Sequence, residues 1–417
     1  MKVSTMRWVD RWIGTGITTA LTVWNRLLGG LFRRRGDGLG SILFVKLAEQ
    51  GSTVLAWPAL NRAVELVGRE NVYFLVFREN RFILDLMEVV PEENVITIDA
   101  SSMLRAALGS LRAVRRLRRL RLDAAVDMEF FARSSAIFTY LSGARMRAGF
   151  HGHSGEAPYR GSLMTHELIY NPHFHTAQIF LGMVESLAQP TGRLPALGIV
   201  PPPLETLSLP LFTPPEAEVA GVRKLLTDLM GTEEVPPIVL LNANCSDLLP
   251  LRRWDNGNYV ALAIRLLARF PDLRIAFTGA PDEAPPVEAL IEEIGSDRCV
   301  SLAGKTTLRQ LLVTYTLSDL LITNDSGPAH FAALTAADVI TLFGPETPKL
   351  FAPPSPRSHV MWSGIACSPC VSAYNNRLSR CRDNVCMRMI TVDMVFEKAC
   401  EVLERRRTPG VVSGAGG

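Results

Sequence analysis

The sequence predicts an α/β protein of two doubly wound, parallel-sheet domains with an N-terminal amphipathic helix in front of them. Three observations carry that prediction. The chain has 417 residues, beyond the roughly 250–300 at which a single core tends to divide. Short, wholly apolar strand patterns alternate with helical periods, the signature of βαβ units. The alternation breaks once, at a proline-rich stretch, and then resumes.

Composition narrows the class further. With 47% hydrophobic and 20% charged residues, the chain is that of a globular enzyme, not a disordered protein. A net charge of +3 is too small to drive nucleic-acid binding by bulk electrostatics, so no nucleic-acid partner is expected. The seven cysteines are an odd number in a chain too large to be a small secreted scaffold, which favours a reducing, cytosolic setting.

The basic balance belongs to residues 1–36. Lys2, Arg7, Arg11, Arg26, Arg33, Arg34 and Arg35 stand against Asp10 alone. On a helical wheel Val9, Ile13, Ile17, Ala20, Leu21, Trp24, Leu27, Leu28 and Leu31 share one arc, with Arg7, Arg11, Thr15, Thr18, Thr22, Asn25 and Arg26 opposite. Asp10 breaks the pattern. The uncharged run between Arg11 and Arg26 is fourteen residues, short of the roughly twenty that cross a bilayer, and no small-x-small cleavage site follows it. The segment reads as an interfacial helix, with tryptophans at the headgroup level and Arg33 to Arg35 on anionic lipid. A helix packed on the protein's own surface is the other reading.

Residues 37–193 read as the first domain. SILFVKL is a buried strand, TVLAWPALNRAVELVG a helix and NVYFLVF the next strand. A helix around 80–89, the strand NVITID, a basic helix from Met103 to Arg121 and the strand AAVDM follow. Residues 194–216 are the proline-rich connection. Residues 217–407 form the second domain, with strands PIVLLNA, RIAFTGA, CVSLA, DLLITND and ADVITLF between helices such as YVALAIRLLARF and LRQLLVTYTL. The Gly-rich tail 408–417 is expected to be disordered. Doubly wound sheets bind ligands at the carboxyl ends of their strands, so the site belongs in strand-end loops facing each other across the connection.

Four loops of the second domain carry chemistry. TNDSGPAH, Thr323 to His330, follows a strand and opens a helix, which presents free N–H groups to a phosphate; the alternative is an ordinary cap. There Ser326, Gly327 and Pro328 form the turn, and Asp325 would orient a hydroxyl. LLNANCSDLLPLRRW brings Asn242 and Asn244 for sugar or phosphate oxygens, and Arg252 and Arg253 as a guanidinium clamp for a diphosphate. FTGAPDE places Gly279 at a close backbone approach and Glu283 where ribose hydroxyls would donate. LAGKTTL adds Lys305, with Thr306 and Thr307 as helix caps.

In this order the loops resemble the donor-binding domain of the heptosyltransferase-like glycosyltransferases, family nine of the inverting GT-B enzymes. The resemblance extends over most of 41–405, including ILFVKLAEQGSTVLAWPAL and AAVDMEFFARSSAIFTYLSGARMRAGF. It implies a GT-B fold with a central cleft, a nucleotide-diphosphate sugar held by the C-terminal domain, and a lipid-linked or lipopolysaccharide-type acceptor held by the N-terminal one. It implies no cofactor and no obligatory metal, the nucleotide sugar being a substrate. A place on the inner face of the cytoplasmic membrane follows from it and from the N-terminal helix. Residue by residue it gives backbone amides of Ser326 and Gly327 to the diphosphate, Asp325 and His330 to the sugar and phosphate site, Arg252 to the family's phosphate-binding lysine position, and Glu283 to the ribose.

Two departures stand out. The family's first loop usually ends in Gly-Asp, the aspartate being its base; here the pair is Gly51-Ser52. Ser52 cannot act as a base by itself, and Glu49 is the nearest carboxylate in the loop, with Asp127 and Glu129 as other candidates. A sugar-nucleotide-binding protein that has lost catalysis is the remaining alternative. Asn242-Ala243 stands where the family often has Pro-Gly, so the donor can differ from ADP-heptose.

Other signals are weaker. Cys367, Cys370, Cys381 and Cys386 have the spacing C-x2-C-x10-C-x4-C of a four-cysteine zinc site, although the resemblance assigns them no metal. HGHSGE, 151–156, reads as a glycine-rich loop that either touches acceptor or is simply flexible, and His175 as a cap or packed histidine ahead of TAQIFLGMVESL. Arg112, Arg115, Arg116, Arg118, Arg119 and Arg121 form a solvated face or a contact for anionic lipid or acceptor. RRGDGLG precedes a strand where a dinucleotide fingerprint must follow one, which disfavours a nicotinamide enzyme.

Overall fold

The computed structural model describes residues 3–28, 38–153, 155, 157–190, 198–245 and 249–407. Arg33 to Arg35, part of residues 194–216, residues 246–248 of the Asn242–Trp254 loop, Glu156 and the tail 408–417 lie outside the described residues.

The chain forms two compact units. The first comprises Met1–Pro210, Lys349–Phe351 and Val371–Leu378, and the second Leu211–Pro348, Ala352–Cys370 and Ser379–Gly417. The division falls inside the proline-rich stretch, whose residues cannot continue a helix or a ladder.

In the first unit the strands are β1 (Ile42–Val45), β2 (Val72–Phe77), β3 (Val95–Ile98), β4 (Ala124–Asp127), β5 (Met146–Phe150) and β6 (His166–Leu168), and the helices α1 (Val3–Val9), α2 (Thr15–Leu28), α3 (Gln50–Val54), α4 (Trp57–Val67), α5 (Phe82–Met87), α6 (Met103–Leu120), α7 (Arg133–Leu141) and α8 (Thr176–Glu185). All strands pair in parallel, in the order β3-β2-β1-β4-β5-β6. The β1 side chains are wholly buried, as expected for a strand covered on both faces. Ala113 and Leu117 of α6 and Phe138 of α7 close one face over Leu43, Val45, Leu75, Ile96 and Ala125.

The second unit repeats the plan with β7 (Ile238–Asn242), β8 (Arg274–Phe277), β9 (Cys299–Ser301), β10 (Leu320–Asn324), β11 (Asp338–Phe343) and β12 (Ser358–Trp362), and with α9 (Glu216–Met230), α10 (Asn256–Arg269), α11 (Ala284–Ile294), α12 (Leu308–Leu317), α13 (Gly327–Ala332), α14 (Pro348–Phe351), α15 (Val385–Arg388) and α16 (Val392–Arg407). Of these, α14 lies within residues 349–351 that cluster with the first unit apart from Pro348. The order is β12-β11-β10-β7-β8-β9. In both sheets the strand order reverses once, between β1 and β4 and between β7 and β10. That topological switch point is where an open α/β sheet leaves a crevice for ligand.

The N-terminal helix is two α-helices joined by a π-helical turn, Asp10–Gly14. It lies against α7, as the reading of a helix packed on the protein's own surface expects. Asp10, the break in the apolar stripe, accepts from the backbone N–H of Arg133 at 3.0 Å and of Ser134 at 2.8 Å. It thereby caps the α7 N-terminus, whose own N-cap, Ala132, has no side chain for the task. Gly14, Thr18 and Thr22 form the buried line of the helix, and Thr22 Oγ1 accepts from Ser162 N at 3.0 Å. Gly161, with φ +77°, lets the backbone between β5 and β6 come this close: a Cβ there would lie 2.5 Å from Thr22 Oγ1. The polar face is thus turned to the protein and most of the apolar face is left outside. Trp8, Trp12 and Trp24 are 58%, 60% and 50% exposed, and Leu27 74%. Leu21, half-buried like Val9 and Leu28, packs on Ala136, Leu163 and Met164. Among the described residues no helix is long and apolar enough to cross a membrane.

Candidate functional site

In the second unit the loops after β7 and β10 flank the switch point. Asn324, fully buried at the end of β10, holds them together. Its Oδ1 accepts from Trp254 N at 3.0 Å, and its Nδ2 donates to Asn244 O at 3.1 Å. Asn242 likewise spends its amide on Thr278, donating at 3.0 Å to Oγ1. Both were expected at the donor, and in this structure both amides brace the loops. Asn324→Ala should therefore cost about 2–4 kcal/mol, because it orphans a buried N–H and carbonyl groups. Urea unfolding should show this as a lower midpoint at unchanged slope, while the exposed Lys305→Ala stays within about 0.5 kcal/mol of the parent.

Asn244 donates to Thr278 O at 3.2 Å, beside Gly279. A Cβ on Gly279 would lie 2.7 Å from Asn244 Nδ2 and 3.2 Å from Ala303 Cβ, which is the close approach read from the sequence. Glu283 Oε2 accepts from Ala280 N at 2.7 Å, so one carboxylate oxygen closes the turn that leads into α11. Lys305 is exposed at the end of β9, and Thr307 caps α12, its Oγ1 accepting from Gln310 N at 3.2 Å.

The arginine pair divides. Arg252 lies between two buried carboxylates, its Nε 3.3 Å from Asp325 Oδ2 and its Nη2 paired with Glu346. Burial works against its charge, but Asp325 and Glu346 outweigh that and hold its pKa above the ordinary value. Arg253 is exposed and lines a cavity of about 640 Å³ together with Asn256, Asn258, Asn384 and Arg388. Glu346 was missed by sequence reasoning; it sits in the turn after β11, and nothing in GPET marks it as a partner of Arg252.

Ser326 is the N-cap of α13 but makes no side-chain cap bond; its Oγ donates to Asn324 O at 3.1 Å. Pro328 has no N–H, so the amides left to meet an anion in this turn are those of Ser326 and Gly327. Asp325 and His330 are buried here, at 3% and 6% exposure.

In the first unit the loops after β1 and β4 meet at the other switch point. Glu49 adopts a left-handed backbone, φ 66°, as does Phe131, φ 61°; such outliers concentrate at functional sites. Ser52 Oγ donates to Glu49 Oε2 at 3.2 Å, and Arg377 pairs with Glu49 while lying 5.7 Å from the Phe130 ring and 5.1 Å from that of Phe351. Ser52 thus braces the Glu49 carboxylate.

Glu129 accepts from Ala48 N at 2.8 Å and lies 3.8 Å from Lys46 Nζ. Burial pushes its carboxyl up, opposed by the Lys46 ammonium and reinforced by the charge of Glu49. Asp127 is fully buried and paired with Arg160; burial pushes it up as well. Of the three candidate bases Glu49 is the most open, its side chain 30% exposed against 10% for Glu129 and 0% for Asp127. Lys46 and Arg377 were not anticipated as site residues; the only signal for Lys46 was a charge inside the buried run SILFVKL.

His175 is a cap: its Nδ1 accepts from Ala177 N at 3.2 Å at the head of α8. All seven cysteines are free. Burial raises the Cys386 thiol pKa, and Cys370, Cys367 and Cys381 add to the shift. Cys367 and Cys381 are exposed.

Residues 213–379 match the family model described as glycosyltransferase family 9 (heptosyltransferase). The chain carries a glycosyltransferase family 9 domain. The loops after β7, β8, β9 and β10 all fall within it. Lipooligosaccharide heptosyltransferase 2 of Haemophilus influenzae is 33% identical over 116 residues, 27% of this chain and 33% of that protein. Lipopolysaccharide heptosyltransferase 2 of Salmonella typhimurium is 27% identical over 115 residues, 27% of this chain and 32% of that one. The chain thus spans about a third of the length of these curated relatives. In fold the likeness is wider. The Escherichia coli ADP-heptose lps heptosyltransferase II structure aligns with TM-score 0.64 at 18% identity, over 88% of this chain and 100% of that one. The Veillonella parvula glycosyl transferase family 9 structure aligns with TM-score 0.66 at 16% identity, over 88% and 97%. The two-sheet GT-B architecture expected from the sequence is the one these structures share.

Proposed function

We propose that the protein is an inverting glycosyltransferase that moves a heptose-like sugar from a nucleotide-diphosphate donor to a lipid-linked or lipopolysaccharide-type acceptor. The observation that carries the reading is the convergence of the loops after β7 and β10 at a switch point inside the family 9 domain. The acceptor oxygen attacks the anomeric carbon, a new C–O bond forms as the bond to the diphosphate oxygen breaks, and the acceptor proton passes to Glu49. The departing diphosphate gathers negative charge, which the Ser326 and Gly327 amides, Arg253 and Lys305 are suited to meet. Arg252, fastened between Asp325 and Glu346, keeps the loop after β7 in register with that after β10.

The same proposal places the enzyme on the inner face of the cytoplasmic membrane. Its support is the outward apolar face of the N-terminal helix, and a second helix bearing on the same neighbour. Like α2, α6 packs against α7, and it leaves Leu104, Leu108 and Leu111 exposed in line with Arg112, Arg115 and Arg119. Leucines and arginines on an outward face without an acidic residue suit a headgroup boundary with anionic lipid. Calorimetric titration with a panel of nucleotide diphosphates and their sugars, followed by transfer to a heptose-bearing lipopolysaccharide acceptor, tests the catalytic reading.

A further inference from the structure

Outside both switch points, the edge of the first sheet gathers two imidazoles and a carboxylate. β5 and β6 pair in parallel with Gly149 opposite Glu167 and Phe150 opposite Leu168, and His151 N extends the ladder to Leu168 O at 2.9 Å. Side chains alternate along a strand, so His151, whose N–H still pairs with β6, falls on the side of Gly149 and Glu167, and the bend at His153 brings its ring beside that of His151. His151 Nδ1 is 3.7 Å from Glu167 Oε1, and the two imidazole centroids are 4.9 Å apart. One donor atom from each of the three residues lies within 4.8 Å of the others. Among the described residues this is the group that meets that distance, whereas the four cysteines do not.

We propose that His151, His153 and Glu167 bind a divalent transition-metal ion. Two imidazole nitrogens and one carboxylate oxygen are the ligand set of a zinc-type site whose fourth position is water. Bonds of about 2.0–2.1 Å put tetrahedral donors about 3.4 Å apart, so small side-chain rotations close the present arrangement.

The ligands stand at the two ends of the 151–165 excursion between β5 and β6. That excursion carries Arg160, the partner of Asp127, and Gly161 and Ser162, which seat the N-terminal helix. An ion at its base would tie the excursion down and stiffen the seat of the helix, a structural role independent of the transfer reaction.

The test loads metal-free, full-length protein with Zn2+ alone and counts bound ion after dialysis, for the parent, His153→Ala and Glu167→Gln. The expected result is one equivalent fewer in each variant, an X-ray absorption shell with nitrogen and oxygen scatterers in the parent, and a Zn2+-dependent rise in Tm that the variants lose. Unchanged metal-free circular dichroism and Tm show that the variants fold. Equal zinc content in parent and variants, a shell of sulfur alone, or no bound zinc overturns the proposal. Zinc held by the cysteines would persist in both variants and is thereby told apart.

Discussion

Replacing Trp8, Trp12 and Trp24 together by serine should lower association with vesicles containing anionic lipid by at least about 100-fold, while the protein stays folded. Full burial of one large apolar side chain contributes about 1.5–3 kcal/mol. Three half-exposed indoles settling part-way into the interface would contribute about 3–4 kcal/mol between them, and 1.4 kcal/mol is a factor of ten. None of the three belongs to the docked line of Gly14, Thr18 and Thr22, so the fold should not register their loss. Vesicle sedimentation at low and high salt separates the contributions: the apolar part persists in salt, and the part owed to arginines on α6 is screened. Binding that survives the triple substitution would remove the N-terminal helix from the membrane contact.

The second large effect is expected at Glu49. Glu49→Gln should lower kcat by about 10²–10⁴, the usual contribution of a positioned general base, with donor affinity near that of the parent. Ser52 and Arg377 both hold this carboxylate, so it must exchange part of an ion pair to take up a proton. In the proposed mechanism, an acceptor hydroxyl arriving beside it would supply that exchange. Intact turnover in Glu49→Gln would shift the role to another group, and Glu129, buried beside Lys46, would be the next to change. A protein that has lost catalysis would show no turnover in parent or variant.

The central strands of both sheets were legible because wholly apolar runs such as SILFVKL and PIVLLNA have few other uses. The edge strands β3 and β9 were read as well, as NVITID and CVSLA, but three others were not: β5 contains Arg147 and Gly149, β6 is three residues long, and β12 is only partly buried. Local chemistry was legible too, since Thr307 and His175 cap the helices they precede. Contacts distant in sequence were beyond reach. Arg377 lies 328 residues from Glu49 and Glu346 lies 94 from Arg252, and no periodicity links either pair. Asp10 shows the same limit from the other side, as a flaw in a helical stripe that the structure explains as the cap of another helix.

Calorimetric titration with ADP, UDP, GDP and their sugars, followed by transfer to a heptose-bearing acceptor, asks whether the family 9 domain holds a nucleotide-diphosphate sugar for transfer. One nucleotide series should bind, its sugar should be transferred with inversion at the anomeric carbon, and Glu49→Gln should bind the same donor without transferring it. Binding of no nucleotide in the panel would contradict that role.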